Sequence, residues 1–439
     1  MIGSQPDARG TVPALLLCCA LVLGLCAAGS PVAGTGHADF PLDSATVAVD
    51  ADRRLVRVHR GDELVPGTRV LAGTADSARL ADEQRTWLAA GTIPQLPELG
   101  DSTMVRDALL DLHVLGTGSE VAVAGFAPAW RSVWPRDSAL VAAALARTGH
   151  LDDAERVLGF LQRVQPASGA FAARYTPDGA PVSDGREPQS DSLGWALWAM
   201  AQVVAEIPPT KRPEFVERHR TLLTRSAAAC LALVDNRQSL PPASPDYWET
   251  SEPKLTLSTA AMVHAGLVAG AQLSAVAGEH SRAAELSEAA TRTRQAIRHG
   301  FEPAGYPRRL GGPASSVDLG VSYLLPPFVT DPDDRAAAVW RESAAKMARP
   351  AGGLAPGGSW RRDGVSWLTA TSSHAMTTAF TGNREQAVRE LRWLSAHRTP
   401  LGSLPEKVLD DGRPASVAPL AWAAAATLIA ADKLADRSR

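Results

Sequence analysis

Two glutamates stand in settings where a carboxyl could do acid–base chemistry. Asp246-Tyr247-Trp248-Glu249 places Glu249 beside bulky aromatics ahead of a helix. Apolar surroundings favour the protonated form of a carboxyl, which suits a general acid. Gly402-Ser403-Leu404-Pro405-Glu406 places Glu406 in a tight loop before the last helix. Taken singly, each reads as a surface carboxylate. As a pair on separate Pro/Gly-rich loops they fit glycoside hydrolysis, in which one carboxyl protonates the leaving oxygen and the other activates a water. Tryptophan is favoured over the other aromatics, eleven against four Tyr and eight Phe. Trp130, Trp134, Trp248, Trp360, Trp367 and Trp422 lie in or beside such loops, and flat indole faces suit the C–H faces of sugar rings. Core packing is the competing reading for each of them.

The elements that must position these residues are mostly helices. Apolar periodicity predicts helices over 75–90, 102–115, 136–149, 151–165, 189–206, 211–236, 254–277, 280–299, 333–348, 366–381, 384–397 and 416–435. Asp101-Ser102, Thr210 and Asp331-Pro332 read as starts, and Gly149, Gly278, Gly300 and Gly382 as stops. Segment 280–299 is charged on one face, whereas 259–277 and 417–431 are apolar nearly all round. That alternation predicts two concentric layers, as in a toroid of helical hairpins or a helical solenoid. Ahead of it, 45–71 alternates like a β-hairpin. The connectors 166–188, 237–253, 302–330, 349–365 and 398–415 hold most of the Gly and Pro, and function concentrates on such loops.

In order along the chain, these segments resemble glycoside hydrolase family 15, the glucoamylase-like enzymes. Trp134-Pro135-Arg136-Asp137-Ser138 is similar to the family's Trp-x-Arg-Asp segment. Gln189, Asp191 and Gly194 match its Gln-x-Asp-x-x-Gly helix start, and Trp248-Glu249 its general acid. Thr256, Ser258 and Met262 follow at familiar spacing. Asp318 with Leu324-Leu325-Pro326, then Trp367, the Gly402–Val408 loop and Pro419-Leu420-Ala421-Trp422 complete the series. The resemblance implies an all-α fold, an (α/α)6 toroid, to which the residues of 45–71 add a short N-terminal β-hairpin. With the leader and hairpin read from the residues themselves, the chain divides into a leader (1–34), a hairpin and lead-in helix (35–95) and the toroid (96–439). The resemblance implies Glu249 as acid and Glu406 as base, Arg136 and Asp137 on the terminal glucosyl ring, and Trp134, Trp248, Trp367 and Trp422 around the sugar. The activity it implies is exo-hydrolysis of α-linked glucosides, with no cofactor and no metal. For an inverting pair the carboxyls should stand about 6.5–9.5 Å apart.

Two departures bear on substrate. The family's Arg-Tyr pair before Trp367 is replaced by Ala355-Pro356, which would remove a sugar ligand unless Arg361 or Arg362 takes its place. Lys407 follows the base where the family often has Gln or Glu, and an adjacent ammonium favours a carboxylate. The alternative reading is a secreted carbohydrate-binding homologue that has lost turnover. Ser251-Glu252-Pro253-Lys254 is a Ser-x-x-Lys string without the companion motifs of penicillin-binding enzymes. Its other reading is a helix start with Pro253 near the first turn.

Composition narrows the partners. The chain has 439 residues, 45% hydrophobic and 21% charged, which is globular rather than disordered. A net charge of −3 gives no electrostatic case for nucleic acid; an oligo- or polysaccharide is the expected partner. Residues 13–25 form an apolar run too short to span a bilayer comfortably, followed by small residues. This reads as a secretory leader cleaved after Gly29 or Gly34, giving a secreted protein without stable membrane insertion. A lipoprotein anchor at Cys26 or an uncleaved anchor are the alternatives, and Leu25 is bulky for a lipobox. Cys18, Cys19 and Cys26 lie in that leader, so the mature chain keeps only Cys230 and cannot form an internal disulfide. Cys230 lies in an apolar helical run and reads as core.

Overall fold

A computed structural model describes residues 41–118 and 121–435. The leader, with its three cysteines, lies outside the described residues. The helices are α1 (Ser77–Ala90), α2 (Met104–Leu115), α3 (Pro135–Arg147), α4 (Leu151–Val164), α5 (Asp191–Glu206), α6 (Arg212–Arg218), α7 (Arg220–Val234), α8 (Leu257–Val276), α9 (His280–Phe301), α10 (Asp334–Met347), α11 (Leu368–Phe380), α12 (Arg384–Ala396) and α13 (Ala421–Ala435).

Side-chain size sorts them into layers. α3, α8 and α13 are rich in Ala and apolar residues and are buried on nearly every face. α9 buries only Leu286, Ala289, Ala290, Thr293, Ile297 and Phe301, a single helical stripe. The all-round helices form an inner ring, in which α3 packs on α5, α5 on α8, α8 on a 3-10 segment (Leu319–Leu324), that segment on α11, α11 on α13 and α13 back on α3. Each has an outer companion: α4, α7, α9, α10, α12 and α2 respectively. The result is the expected (α/α)6 toroid. Among the described residues, α8 has the length and apolarity to cross a membrane, but 78% of that window is buried in the protein. Its hydrophobicity belongs to the core.

Several boundaries differ from expectation. The segment 211–236 is two helices, broken at His219, whose Nδ1 donates to the Phe215 carbonyl at 3.0 Å. Residues 302–330 are not only a connector: they carry the inner-ring 3-10 turn. Gly300 lies inside α9, whereas Gly149, Gly278 and Gly382 do end helices with positive φ. α8 starts at Leu257 with Thr256 as its cap, so Pro253 is outside the first turn. The last helix begins at Ala421, five residues later than predicted. Cys230 is buried, and burial pushes its thiol up to about 12, so it is inert core.

The N-terminal hairpin pairs β1 (Thr46–Val49) with β2 (Leu55–Val58) in antiparallel register. It is anchored to the loop that carries Glu406. Thr46 and Ser403 share a 2.7 Å hydrogen bond, Ser44 Oγ donates to the Ala418 carbonyl at 2.8 Å, and Asp43 N donates to the Ser416 carbonyl at 2.9 Å. A second sheet joins β3 (Ser366–Trp367), β4 (Lys407–Val408) and β5 (Pro414–Ala415) beside the same loop.

Candidate active site

The loops preceding α3, α5, α11 and α13, together with the loop carrying Glu249, converge on one cavity of about 310 Å3. All eight residues that the resemblance places at the site line it: Glu249 and Glu406, Arg136 and Asp137, and Trp134, Trp248, Trp367 and Trp422. Trp130, Trp360, Tyr247 and Arg186 line it as well.

Pro135 occupies the first turn of α3, where its missing N–H costs nothing, and so fixes where Arg136 and Asp137 leave the helix. Arg136 is buried at the cavity floor. Its Nη1 donates to Gln189 Oε1 at 2.7 Å, its Nη2 to Glu249 Oε1 at 3.1 Å, and Asp191 lies 3.9 Å away. The guanidinium also sits over the Trp422 ring at 5.2 Å. Thus the Gln-x-Asp start of α5 holds Arg136, which explains why these residues occur together.

Burial pushes the Asp137 carboxyl up to about 7, with the Glu249 charge adding to the rise and Arg136 opposing it. Burial likewise pushes Asp191 up to about 6 against the pull of Arg136. A raised acid contributes stability below its unfolded value and loses it as pH rises through the folded one. The buried ionised Asp137 therefore costs up to roughly 4 kcal/mol above pH 7 and nothing below pH 3.8. Asp137→Asn is expected to raise the melting temperature more at pH 8 than at pH 5 while weakening sugar binding. Melting curves of both proteins at the two pH values check this; an equal shift at both would contradict it.

Glu249 does not sit in the apolar niche expected from its aromatic neighbours. Its two oxygens receive N–H donors from Arg136 and from Arg186. Two cations distant in the chain, invisible in the local string, supply this environment. The backbone at Glu249 is left-handed, φ 54°, closing a turn in which its N–H donates to the Asp246 carbonyl at 2.8 Å. Asp246 is fixed by Ser258 at 2.5 Å and by Arg308 at 2.8 Å. Arg308, fully buried, also pairs with Glu252 and Asp318, both at 2.6 Å, and lies 3.6 Å over the Trp248 ring. Sequence reading missed Arg308. The signal was three carboxylates, two on one loop and one on another, that need a shared counter-charge once buried.

Glu406 is clamped through its backbone. Its N–H donates to Val417 O at 2.8 Å and its carbonyl accepts from Leu368 N at 2.9 Å. Ser416 Oγ donates to Oε2 at 2.5 Å, and Lys407 Nζ stands 3.2 Å from the same oxygen and 4.5 Å over the Trp367 ring. Ser416 has φ 66° and bonds through its backbone to Pro41 and Asp43, so the segment leading into β1 holds the residue that orients the base.

Ala355 is buried, Pro356 lines the cavity, and the Pro356 carbonyl accepts from Tyr247 Oη at 3.0 Å. Arg361 and Arg362 are exposed and do not enter the cavity; the guanidinium that does, besides Arg136, is Arg186. The indole N–H groups of Trp134, Trp248, Trp360 and Trp367 are buried without hydrogen-bond partners. Among the described residues no cluster of His, Cys, Asp and Glu could hold a metal ion.

No protein-family model matches the chain. Isomaltose glucohydrolase of Kribbella flavida is 26% identical over 381 residues, covering 77% of this chain and 94% of that protein. A bacterial glucoamylase solved with acarbose superposes with a TM-score of 0.66 at 18% identity, over 82% of this chain and 59% of that one. The chain has a glucoamylase-like fold. A glycosidase variant solved in complex with glucose superposes on this fold with a TM-score of 0.63 at 23% identity, over 80% of this chain and 98% of that one.

Proposed function

We propose that the chain is an exported, exo-acting hydrolase of short α-glucosides that inverts the anomeric centre. The glycoside hydrolase class is supported by the glucoamylase-like fold and by the relative named an isomaltose glucohydrolase. The observation that carries the site assignment is that Glu249 and Glu406, 157 positions apart in sequence, open onto one tryptophan-walled cavity of about 310 Å3. Its floor, set by Arg136, Asp137 and Trp422, takes the terminal glucosyl ring. Glu249 gives its proton to the glycosidic oxygen as the bond from C1 to that oxygen breaks. Glu406 takes a proton from a water that attacks C1 on the opposite face. The electron pair of the broken bond stays with the leaving sugar, and glucose departs as the β anomer. Each proton transfer contributes roughly 10²–10⁴-fold. The small cavity suits a single terminal unit rather than the middle of a polymer. Export rests on the apolar run at 13–25 and the small residues after it.

Incubation with isomaltose, maltose and trehalose, with glucose measured, tests the reading. Glucose release from at least one of them is expected. Binding without release from any of the three would favour the carbohydrate-binding alternative.

A further inference from the structure

The two guanidiniums on Glu249 approach from opposite sides. Arg136 reaches Oε1 from the cavity floor, with its side chain only 4% exposed. Arg186 reaches Oε2 from the mouth, with its side chain 37% exposed. A terminal sugar seated on the floor leaves its departing partner at the mouth, on the Arg186 side of the acid. Arg186 is held there by built structure. Its Nε lies 3.2 Å from Asp184, which accepts from Arg174 at 2.6 Å. Arg174 in turn donates to the Ala129 carbonyl at 2.9 Å and stacks 5.1 Å over Trp134, itself a cavity wall. Tyr175 bridges this loop to Val133. The guanidinium is therefore tied through Nε to the wall, and the side chain as a whole stays 37% exposed.

We propose that Arg186 is the residue that reads the leaving group, donating its planar pair of N–H groups to neighbouring hydroxyls of the second sugar unit. The inference rests on the hydrolase reading above. In the ligand-free protein Glu249 Oε2 accepts from Arg186 Nη1, while Arg186 Nε faces Asp184. A sugar at the mouth offers neighbouring hydroxyls to these N–H groups in place of the carboxylate oxygen. The fork geometry matches two adjacent hydroxyls, which an ammonium cannot contact in the same way.

The test compares two substrates of the intact protein. Isomaltose or maltose has a leaving sugar that needs both protonation and hydroxyl contacts. α-Glucosyl fluoride has a leaving group that carries no hydroxyl and departs without a proton. Arg186→Met is expected to lose roughly 10–100-fold more kcat/KM on the disaccharide than on the fluoride, chiefly through KM, as loss of a charge-assisted hydrogen bond predicts. Arg186→Lys is expected to restore part of the charge but little of the discrimination. Equal losses on both substrates in the two variants would assign Arg186 a structural role and overturn the proposal. Undiminished disaccharide turnover by Arg186→Met would overturn it too. If wild-type protein turns over neither substrate, the hydrolase reading itself fails and takes this one with it; wild-type turnover of both with no differential effect sinks only the role of Arg186.

Discussion

Glu249→Gln is expected to lose roughly 10²–10⁴-fold in turnover of a disaccharide while keeping most of its rate on α-glucosyl fluoride, whose departure requires no proton. Glu406→Gln is expected to lose a comparable factor on both substrates, because the water must be activated whichever group leaves. Gln preserves the shape and one acceptor oxygen of each side chain, so the contacts to Arg136 and to Ser416 can persist and the helical content should be unchanged by circular dichroism. The roles are thus separable: an acid variant recovers with a good leaving group, a base variant does not. Wild-type rates on the disaccharide from either variant would remove that residue from the chemistry. A Glu249→Gln loss of equal size on both substrates would show that Glu249 binds or positions but does not protonate.

The second large effect is structural. Inner helices α5 and α8 touch through backbone. A Cβ added at Gly194 would lie 1.9 Å from the Met262 carbonyl oxygen, and one added at Gly266 would lie 2.5 Å from the Gly194 Cα. No flexible side chain is available to move aside, so Gly194→Ala must separate two members of the inner ring. Overpacking of a tight core typically costs about 1–3 kcal/mol, occasionally more, and a clash with backbone belongs at the upper end. A fall in melting temperature of several degrees is expected, with kcat/KM reduced as well, because the start of α5 carries Gln189 and Asp191 against Arg136. An unchanged melting temperature for Gly194→Ala would contradict this packing.

The helical architecture was legible because Ala and Leu recur at helical spacing and because apolar-all-round helices differ visibly from one-faced ones. The places where the reading slipped have physical causes. His219 breaks one predicted helix by bonding its own preceding turn, which periodicity cannot register. The inner-ring segment Leu319–Leu324 is six residues long, too short to show a helical stripe. At the site, the residues adjacent to a recognisable motif were found and those reaching in from elsewhere were not. Trp248-Glu249 and Pro405-Glu406 stand next to their signals in the chain. Arg186 is 63 positions from the carboxylate it bonds, and Arg308 is 62 from Asp246. The error about Glu249 has the same origin: its neighbours in sequence are aromatic, whereas its neighbours in space are cations. The hairpin at 46–58 was visible, but its task of holding the Glu406 loop arises from pairings more than 350 positions apart, such as Thr46 with Ser403.

The most direct test of the central claim is proton NMR of the glucose released in the first minutes of reaction, before mutarotation equilibrates the anomers. Attack by a water activated at Glu406, opposite a leaving group protonated by Glu249, delivers β-glucose first from an α-linked substrate. Initial appearance of the α anomer would contradict the proposed division of labour between the two carboxyls.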